Sequence, residues 1–285
     1  MPFSAGKILS NLQKWQAAIE QVEKSGGHVP EVLLDAVKTG EFDLRHSSFT
    51  NSNAKNVIFR GQKFSSKEKL LSLDLRNSSS IQKNLGDVLD EIKSLEEYNA
   101  LREIDEATAF EEGSILSPIL WVSQQKEDGS IKHRLIHHDR LNYTYAKPKF
   151  SLSTIGQELD RLAEFYGLKK MDLEKCFYQF RLTKSSSKTL RFKIDTGNGI
   201  KYYEWQVMCM GMSAAPFVTQ ATTGFLAGLY SRTFRVYVGV YLDDFWMELV
   251  SRGPEFELWA AEYGLQFKGD FTPNNHNSVP PVFVH

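Results

Sequence analysis

The sequence has only two cysteines, Cys176 and Cys209, among its 285 residues. Two cysteines without C-x-x-C spacing exclude a disulfide framework and disfavour a structural zinc, so a reducing, intracellular compartment is expected. The chain also lacks a surplus of either charge, because 34 Lys and Arg residues face 35 Asp and Glu residues. Any nucleic-acid site must therefore be a local patch rather than a property of the whole surface.

Long apolar runs are missing as well. No run approaches the roughly 18 residues of a membrane span, and the first fifteen residues lack the apolar core of a signal peptide. Hydrophobic residues still make up 41% of the chain and charged residues 24%, as is typical of a folded globular protein. We expect a soluble intracellular protein, cytoplasmic or nuclear, with no membrane partner.

The first third of the chain carries helical patterns separated by a polar stretch. One apolar stripe at helical spacing consists of Ile8, Leu12, Trp15, Ile19 and Val22. A second pattern over residues 29–37 ends at Gly40, and a third covers residues 85–95. Residues 45–82 are rich in Ser, Asn and Lys. We predict a helical N-terminal region at 1–44, a poorly ordered linker at 45–82 and a second folded unit at 83–285.

The sequence pattern changes after Gly113, where β-prone runs become frequent. Two such runs, at residues 115–122 and 131–138, flank the turn residues Asp128 and Gly129. Two more, at 236–241 and 245–249, are separated only by Leu242, Asp243 and Asp244. Helices and strands mix without a regular βαβ alternation, so the sequence predicts an α+β fold.

Acidic residues end two of the predicted strands. Asp172 ends one apolar strand, and Asp243 and Asp244 lie at the tip of a tight hairpin. A lone Asp-Asp pair could be an ordinary turn. Carboxylates delivered by separate strands, however, are what magnesium and two-metal phosphoryl transfer require.

Three motifs in order resemble the palm of reverse transcriptases. Residues 172–177 (DLEKCF) look like the first motif, residues 210–216 (MGMSAAP) like the second, and residues 241–244 (YLDD) like the third. The intervals of 39 residues from Asp172 to Gly211 and 32 from Gly211 to Asp243 also suit that family. The resemblance covers residues 113–249 and is nearest to retrotransposons of the DIRS type. It implies a fingers-and-palm polymerase with an antiparallel palm sheet.

The resemblance implies a metal site and a sugar gate. Asp172 and Asp243 would hold two Mg²⁺ ions, which Mn²⁺ can replace, and Asp244 would assist. The backbone carbonyl of Leu173 would give one ion a further oxygen. Phe177 would be the steric gate that excludes a 2′-hydroxyl, although a core aromatic is the plain alternative.

The resemblance also implies nucleotide contacts elsewhere. Lys132 and Arg134 share one face of a predicted strand and could close over the triphosphate, although counting back from Asn142 places the family's usual arginine at His133. Residues 121–149 hold six Lys or Arg against three Asp or Glu, an excess suited to phosphates. Gly211 would let a template or base approach the backbone, and Tyr241 is assigned to the nucleotide site with its motif.

The C-terminal part departs from the family pattern. Only 36 residues follow Leu249, too few for a thumb, and no ribonuclease H segment is present. Phe271 stands where the family places a lysine, and Lys268 is the nearest candidate for that role. The sequence therefore predicts a polymerase without thumb, truncated at its C-terminus.

The function that we infer is template-directed DNA synthesis from deoxynucleoside triphosphates on a primed RNA or DNA template. A catalytically inactive fragment of a decayed retroelement is one alternative. A nucleic-acid-binding module without polymerase activity is another. An RNA-dependent RNA polymerase would normally carry a small or polar selector in place of Phe177 and Gly-Asp-Asp in place of Leu242-Asp243-Asp244.

Overall fold

The computed structural model describes most of the chain. The described residues are 2–44, 57–59, 62–64, 75–126, 128–143, 150, 152, 154–163, 165, 167–249 and 255–269. Phe271 and the predicted truncated end lie outside them.

Two amphipathic helices open the structure. They are α1 (Leu12–Lys24) and α2 (Glu31–Thr39), and Gly40 ends α2 in the left-handed conformation that glycine adopts readily. The predicted stripe begins too early, because Asn11 caps α1 with its side chain and Ile8 precedes the helix. Ile8 is buried all the same, since the segment before α1 packs against a distant part of the chain.

The remaining elements follow in chain order. The helices are α3 (Ser79–Lys83), α4 (Leu85–Glu97), α5 (Glu106–Ala109), α6 (Ile155–Leu162), α7 (Lys184–Ser187), α8 (Ala215–Phe234) and α9 (Phe256–Ala261). The strands are β1 (Val57–Phe59), β2 (Gln62–Phe64), β3 (Leu101–Ile104), β4 (Ile119–Gln125), β5 (Ile131–His137), β6 (Leu168–Asp172), β7 (Arg191–Asp195), β8 (Ile200–Trp205), β9 (Val238–Tyr241) and β10 (Asp244–Glu248). Two 3₁₀ turns cover Arg140–Tyr143 and Cys176–Gln179.

Among the described residues, every pairing between two of these strands is antiparallel. Two sheets have three strands, in the orders β6-β10-β9 and β3-β8-β7, and two are hairpins, β1-β2 and β4-β5. Antiparallel sheets mixed with helices that do not alternate with them make an α+β fold. The predicted fold class is confirmed at this level.

Part of the predicted linker forms regular structure. Residues 57–59 and 62–64 form the β1-β2 hairpin, and residues 79–83 form α3. Asn77 and Ser80 accept hydrogen bonds from the backbone N–H groups of Ile119 and Trp121 in β4, at 3.0 and 3.1 Å. A polar composition is compatible with this structure, because these Asn and Ser side chains accept hydrogen bonds from strand backbone groups.

Helix α8 is apolar all round and lies at the centre of the fold. A helix of this kind must be covered on most of its faces, and ten of its residues are buried. Trp15 of α1 stacks on Phe225 of α8 at a ring-centroid distance of 6.0 Å, so the N-terminal helices share one core with the rest of the molecule. Among the described residues, no helix combines the length and the apolar character needed to cross a membrane.

Candidate active site

The acidic residues of two strands meet at one end of the β6-β10-β9 sheet. Strands β6 and β10 pair with Asp172 directly opposite Asp244, and paired residues of an antiparallel sheet point to the same face. The adjacent pair in this ladder, Met171 opposite Phe245, points to the other face of the sheet and is buried. The N–H group of Leu173 also donates to the carbonyl of Asp243, at 3.0 Å. Residues some 70 positions apart in sequence are thus neighbours.

The turn that carries Asp243 has a strained backbone and an outside support. Leu242 has φ +56°, which is uncommon for a residue with a side chain. Gln220 of α8 accepts a hydrogen bond from the N–H group of Leu242 at 2.8 Å. Its amide nitrogen reaches the carbonyl of Val240 at 3.5 Å. The oxygen and the nitrogen of the Gln220 side-chain amide therefore both hydrogen-bond the backbone of the turn.

Burial and neighbouring carboxylates raise the pKa of Asp243. Burial raises the pKa of this carboxyl above its ordinary value, and the charges of Asp172 and Asp244 raise it further. A cation between these groups would relieve the repulsion. The arrangement therefore favours positive charge at this end of the sheet.

Two lysines already approach the acids. The ammonium group of Lys268 donates to Oδ2 of Asp172, and Lys170 lies 3.2 Å from a carboxylate oxygen of Asp244. Strand geometry places Lys170 two residues before Asp172, on the same face. Lys268 reaches the site because its backbone N–H donates to the carbonyl of Asp172 at 2.9 Å.

The carboxylate oxygens of Asp172, Asp243 and Asp244 are suited to a hard divalent cation, although they are not arranged around a common point as ligands. Within the part of the chain that the structure describes, no group of three or more His, Cys, Asp or Glu side chains is arranged to hold a metal ion. Oδ1 of Asp172, however, is buried and has no hydrogen-bond partner among the described residues. Such an acceptor, beside carboxylates that repel each other, is suited to an ion with oxygen ligands.

The β4-β5 hairpin brings cations toward the acids. Lys132 is exposed and Arg134 half-buried. Desolvation, the nearby charges of Arg134 and Lys268, and that of Lys126 lower the pKa of Lys132, while Asp172 raises it. Lys132 therefore lies close enough to the acidic cluster to interact with it electrostatically.

His133 is engaged on the other face of the hairpin. Its ring stacks on Trp121 with a centroid distance of 5.3 Å and an interplanar angle of 7°. Its Nδ1 lies 3.0 Å from the hydroxyl of Ser123. Arg134 instead hydrogen-bonds Gln124. Of His133 and Arg134, the two candidates for the family's arginine, only Arg134 is on the same strand face as Lys132.

The segment after Asp172 carries the predicted gate. Leu173 is buried, and Phe177 is half-buried in the 3₁₀ turn Cys176–Gln179, packed against the core on one side. Tyr241 ends β9 opposite Asp244 and is 44% exposed. Both aromatic rings thus keep exposed surface near the acids.

Gly211 makes a close contact between two backbones. Its φ is +104°, and a Cβ there would overlap the carbonyl oxygen of His137. Asn142 strengthens this junction, since its side chain donates to the carbonyl of Gly211 at 2.5 Å and accepts from the N–H of Ser213 at 2.8 Å. The structure gives this glycine a packing role; contact with a template or base stays a prediction.

Sequence reasoning missed two residues of this site. Gln220 is an amide residue one helical turn after Pro216 in a predominantly apolar helix, which is a usable signal. Lys170 could have been found from the period of two before Asp172. The pairing of Lys268 with Asp172 spans 96 residues and carries no local signal.

Comparison with known proteins agrees with this geometry. No curated protein matches the chain. Residues 129–255, which include the three motifs, match the model of the family described as reverse transcriptase (RNA-dependent DNA polymerase). This match supports a reverse-transcriptase domain in that part of the chain, as the motifs predict.

Proposed function

We propose that this chain carries out template-directed DNA synthesis by two-metal nucleotidyl transfer. Descent from a reverse transcriptase implies RNA-directed DNA polymerase activity in general. The observation that carries the proposal is the register of β6 against β10, which puts Asp172 opposite Asp244 and beside the Asp243 turn. In this proposal the β6-β10-β9 sheet is the palm and the β4-β5 hairpin belongs to the fingers.

The acids would hold the ions. Asp172 and Asp243 would bind two Mg²⁺ ions, for which Mn²⁺ can substitute, with help from Asp244 and from the carbonyl of Leu173. Bound ions of this kind lower the pKa of a primer 3′-hydroxyl and neutralise triphosphate charge. The chain's own part is to hold the carboxylates in place through β-sheet pairing and through Gln220, and to release Lys170 and Lys268 from them.

The nucleotide would lie between the hairpin and the sheet. Lys132 and Arg134 would contact its triphosphate, because guanidinium and ammonium groups stabilise phosphate charge. Phe177 and Tyr241 would border the sugar and base, with Phe177 excluding a 2′-hydroxyl. Gly211 would lie beside the template or base. A primed RNA or DNA template and deoxynucleoside triphosphates are the partners, and an origin in a DIRS-type retrotransposon is part of the proposal.

Primer extension tests the proposal. The full chain is given a primed RNA template, deoxynucleotides and Mg²⁺ or Mn²⁺. Wild type should extend the primer, Asp243→Asn should lose at least about 100-fold in rate, as losses of transition-state electrostatics do, and Phe177→Ala should admit ribonucleotides. Asp90→Asn, a change of the same chemistry on the exposed face of α4, should match wild type.

The rival functions give different results. Extension that persists in Asp243→Asn would contradict the two-metal assignment. No extension by wild type, with salt-sensitive nucleic-acid binding that Asp172→Asn and Asp243→Asn leave unchanged, would favour a binding module. A wild type that prefers ribonucleotides would favour an RNA polymerase.

A further inference from the structure

Lys175 lies between the first catalytic acid and the predicted gate and has an unusual backbone. Its φ is +46° and its ψ +49°, a left-handed conformation at the start of the 3₁₀ turn that contains Phe177. Its carbonyl accepts from the N–H of Tyr178 at 2.9 Å, which closes the turn. A lysine in this conformation persists only when its surroundings determine it.

Two aromatic rings surround the ammonium group of Lys175. The Nζ atom lies 3.6 Å from the ring centroid of Tyr98 and 5.5 Å from that of Phe3. The two rings meet edge to face at 5.5 Å, and the carboxylate of Glu91 interacts with the same charge. These distances are in the range of cation–π attraction. We call Phe3, Tyr98 and Lys175 the aromatic cage.

The N-terminal segment ties the cage to the turn through its backbone. Ala5 N–H donates to the carbonyl of Tyr98 at 3.0 Å, Gly6 N–H to Tyr178 at 2.8 Å, and Ile8 N–H to Gln179 at 3.1 Å. One short segment therefore bonds both the end of α4, which carries Tyr98, and the turn that carries Phe177. The usual solvated lysine has none of these constraints.

We propose that the aromatic cage is a positioning device for nucleotide selection, which sets Phe177 relative to Asp172. Lys175 contacts no reacting atom in this proposal; it fixes the turn from behind, with Phe3 supplied by the N-terminal segment. The inference rests on the proposed function, because it assigns the cage to the sugar-gate part of that site. It makes an N-terminal residue about 170 positions away in sequence a determinant of substrate choice.

Hydrogen exchange of the full chain tests whether the cage holds the turn. Lys175→Met keeps the length of the side chain and removes the charge, and Tyr98→Leu removes the ring. Each should speed exchange at the Tyr178 amide by about three- to tenfold, the loss expected for one cation–π contact. Lys175→Arg and Tyr98→Phe keep cation and ring and should exchange at nearly the wild-type rate.

A matched control and an activity measurement complete the test. Lys14 lies over the ring of Tyr263 at 5.1 Å, so Lys14→Met removes the same kind of contact elsewhere and should leave Tyr178 unchanged. In primer extension, Lys175→Met should raise the ratio of ribonucleotide to deoxynucleotide incorporation by about three- to tenfold, mainly through KM, if the turn loosens by that amount. Lys175→Arg should restore the wild-type ratio.

The outcomes separate the cage from the proposed function. Unchanged exchange at Tyr178 in Lys175→Met overturns the cage whether or not the chain extends primers. Faster exchange with an unchanged incorporation ratio in an active chain overturns the positioning role. Absence of extension by wild type contradicts the proposed function. Hydrogen exchange at the Tyr178 amide then decides by itself whether the aromatic cage stabilises the turn.

Discussion

Asp139 is a fully buried carboxyl group two residues beyond β5. Its Oδ1 accepts a hydrogen bond from the N–H of Leu141 at 2.9 Å, and its Oδ2 is buried without a hydrogen-bond partner among the described residues. Burial raises its pKa to about 7, against the lowering effects of the Leu141 bond and of Arg140. Burial also lowers the pKa of His137 to about 3. Single residues just after the β4-β5 hairpin thus couple the stability of the fold to pH.

Asp139→Asn should remove a pH dependence of stability. The folded-state pKa lies above the unfolded value, so the native protein holds the extra proton and wild type loses stability as the pH rises from about 4 to 7. The amide keeps an acceptor for Leu141 and carries no proton to lose. Relative to Asp139→Asn, wild type should lose up to about 1.4 kcal/mol per pH unit in that window.

Urea unfolding at pH 4, 5, 6 and 7 measures this difference. His137 acts with the opposite slope, because its depressed pKa makes stability rise with pH below about 6.5, but it is common to both proteins and cancels. Asp90→Asn serves as the exposed control. A free-energy difference between wild type and Asp139→Asn that stays constant with pH would contradict this account.

At the scale of elements, the turn of the β9-β10 hairpin depends on a helix. Strands β9 and β10 are joined through Leu242, whose positive φ is held by the amide of Gln220 on α8. A two-residue corner with this geometry normally favours Gly or Asn. The hydrogen bond from Leu242 to Gln220 therefore stabilises a backbone conformation that a Gly or Asn would otherwise favour.

Gln220→Met should weaken the site without unfolding the protein. It leaves the Leu242 N–H without its acceptor and frees the Asp243 turn, so extension should fall by about 10- to 100-fold, as losses of outer supports of metal sites do. Gln82→Met, which changes the same side chain at an exposed position, is the control. If Gln220→Met extended primers at the wild-type rate and had the wild-type melting temperature, the turn would not depend on Gln220.

At the scale of the whole molecule, the N-terminal segment and the segment after α9 pack on each other. Ser4 and Gln266 exchange two hydrogen bonds, at 3.0 and 2.7 Å. The indole N–H of Trp15 donates to the carbonyl of Tyr263 at 3.0 Å. Gly264, at φ +91°, passes so close to Lys7 that a Cβ would overlap the Lys7 carbonyl oxygen. These contacts join the first helix to the segment that carries Lys268.

Gly264→Ala should destabilise the protein far more than Gly26→Ala. Both glycines have positive φ, but Gly26 has open space around its missing Cβ. Gly26→Ala therefore carries only the backbone cost of about 1 kcal/mol, whereas Gly264→Ala adds a backbone overlap and should cost about 3 kcal/mol or more. Denaturant unfolding of the two variants measures the difference, and equal losses would mean that the two segments do not need this close approach.

The sequence could predict elements and sites that rest on local chemistry. The turn residues Asp128 and Gly129, the strand ending at Asp172 and the hairpin turn at Asp243 all have local signals. Asp244, expected at the hairpin tip, is instead the first residue of β10. The sequence could not predict the start of α1, since Ile8 fits the helical period but is buried through contacts with a distant turn. The ion pair of Lys268 with Asp172 and the aromatic cage are likewise pairings across long stretches of chain, which no periodicity encodes.

Direct binding of Mn²⁺ tests the central claim, that acids remote in sequence form one divalent-ion site. Titration of the full chain with Mn²⁺, followed by the paramagnetic resonance of the free ion, gives the affinity without requiring activity. Wild type should bind Mn²⁺, Asp172→Asn and Asp243→Asn should each bind at least about tenfold more weakly, and Asp90→Asn should bind as wild type does. Equal Mn²⁺ affinity in wild type and Asp172→Asn would contradict the account.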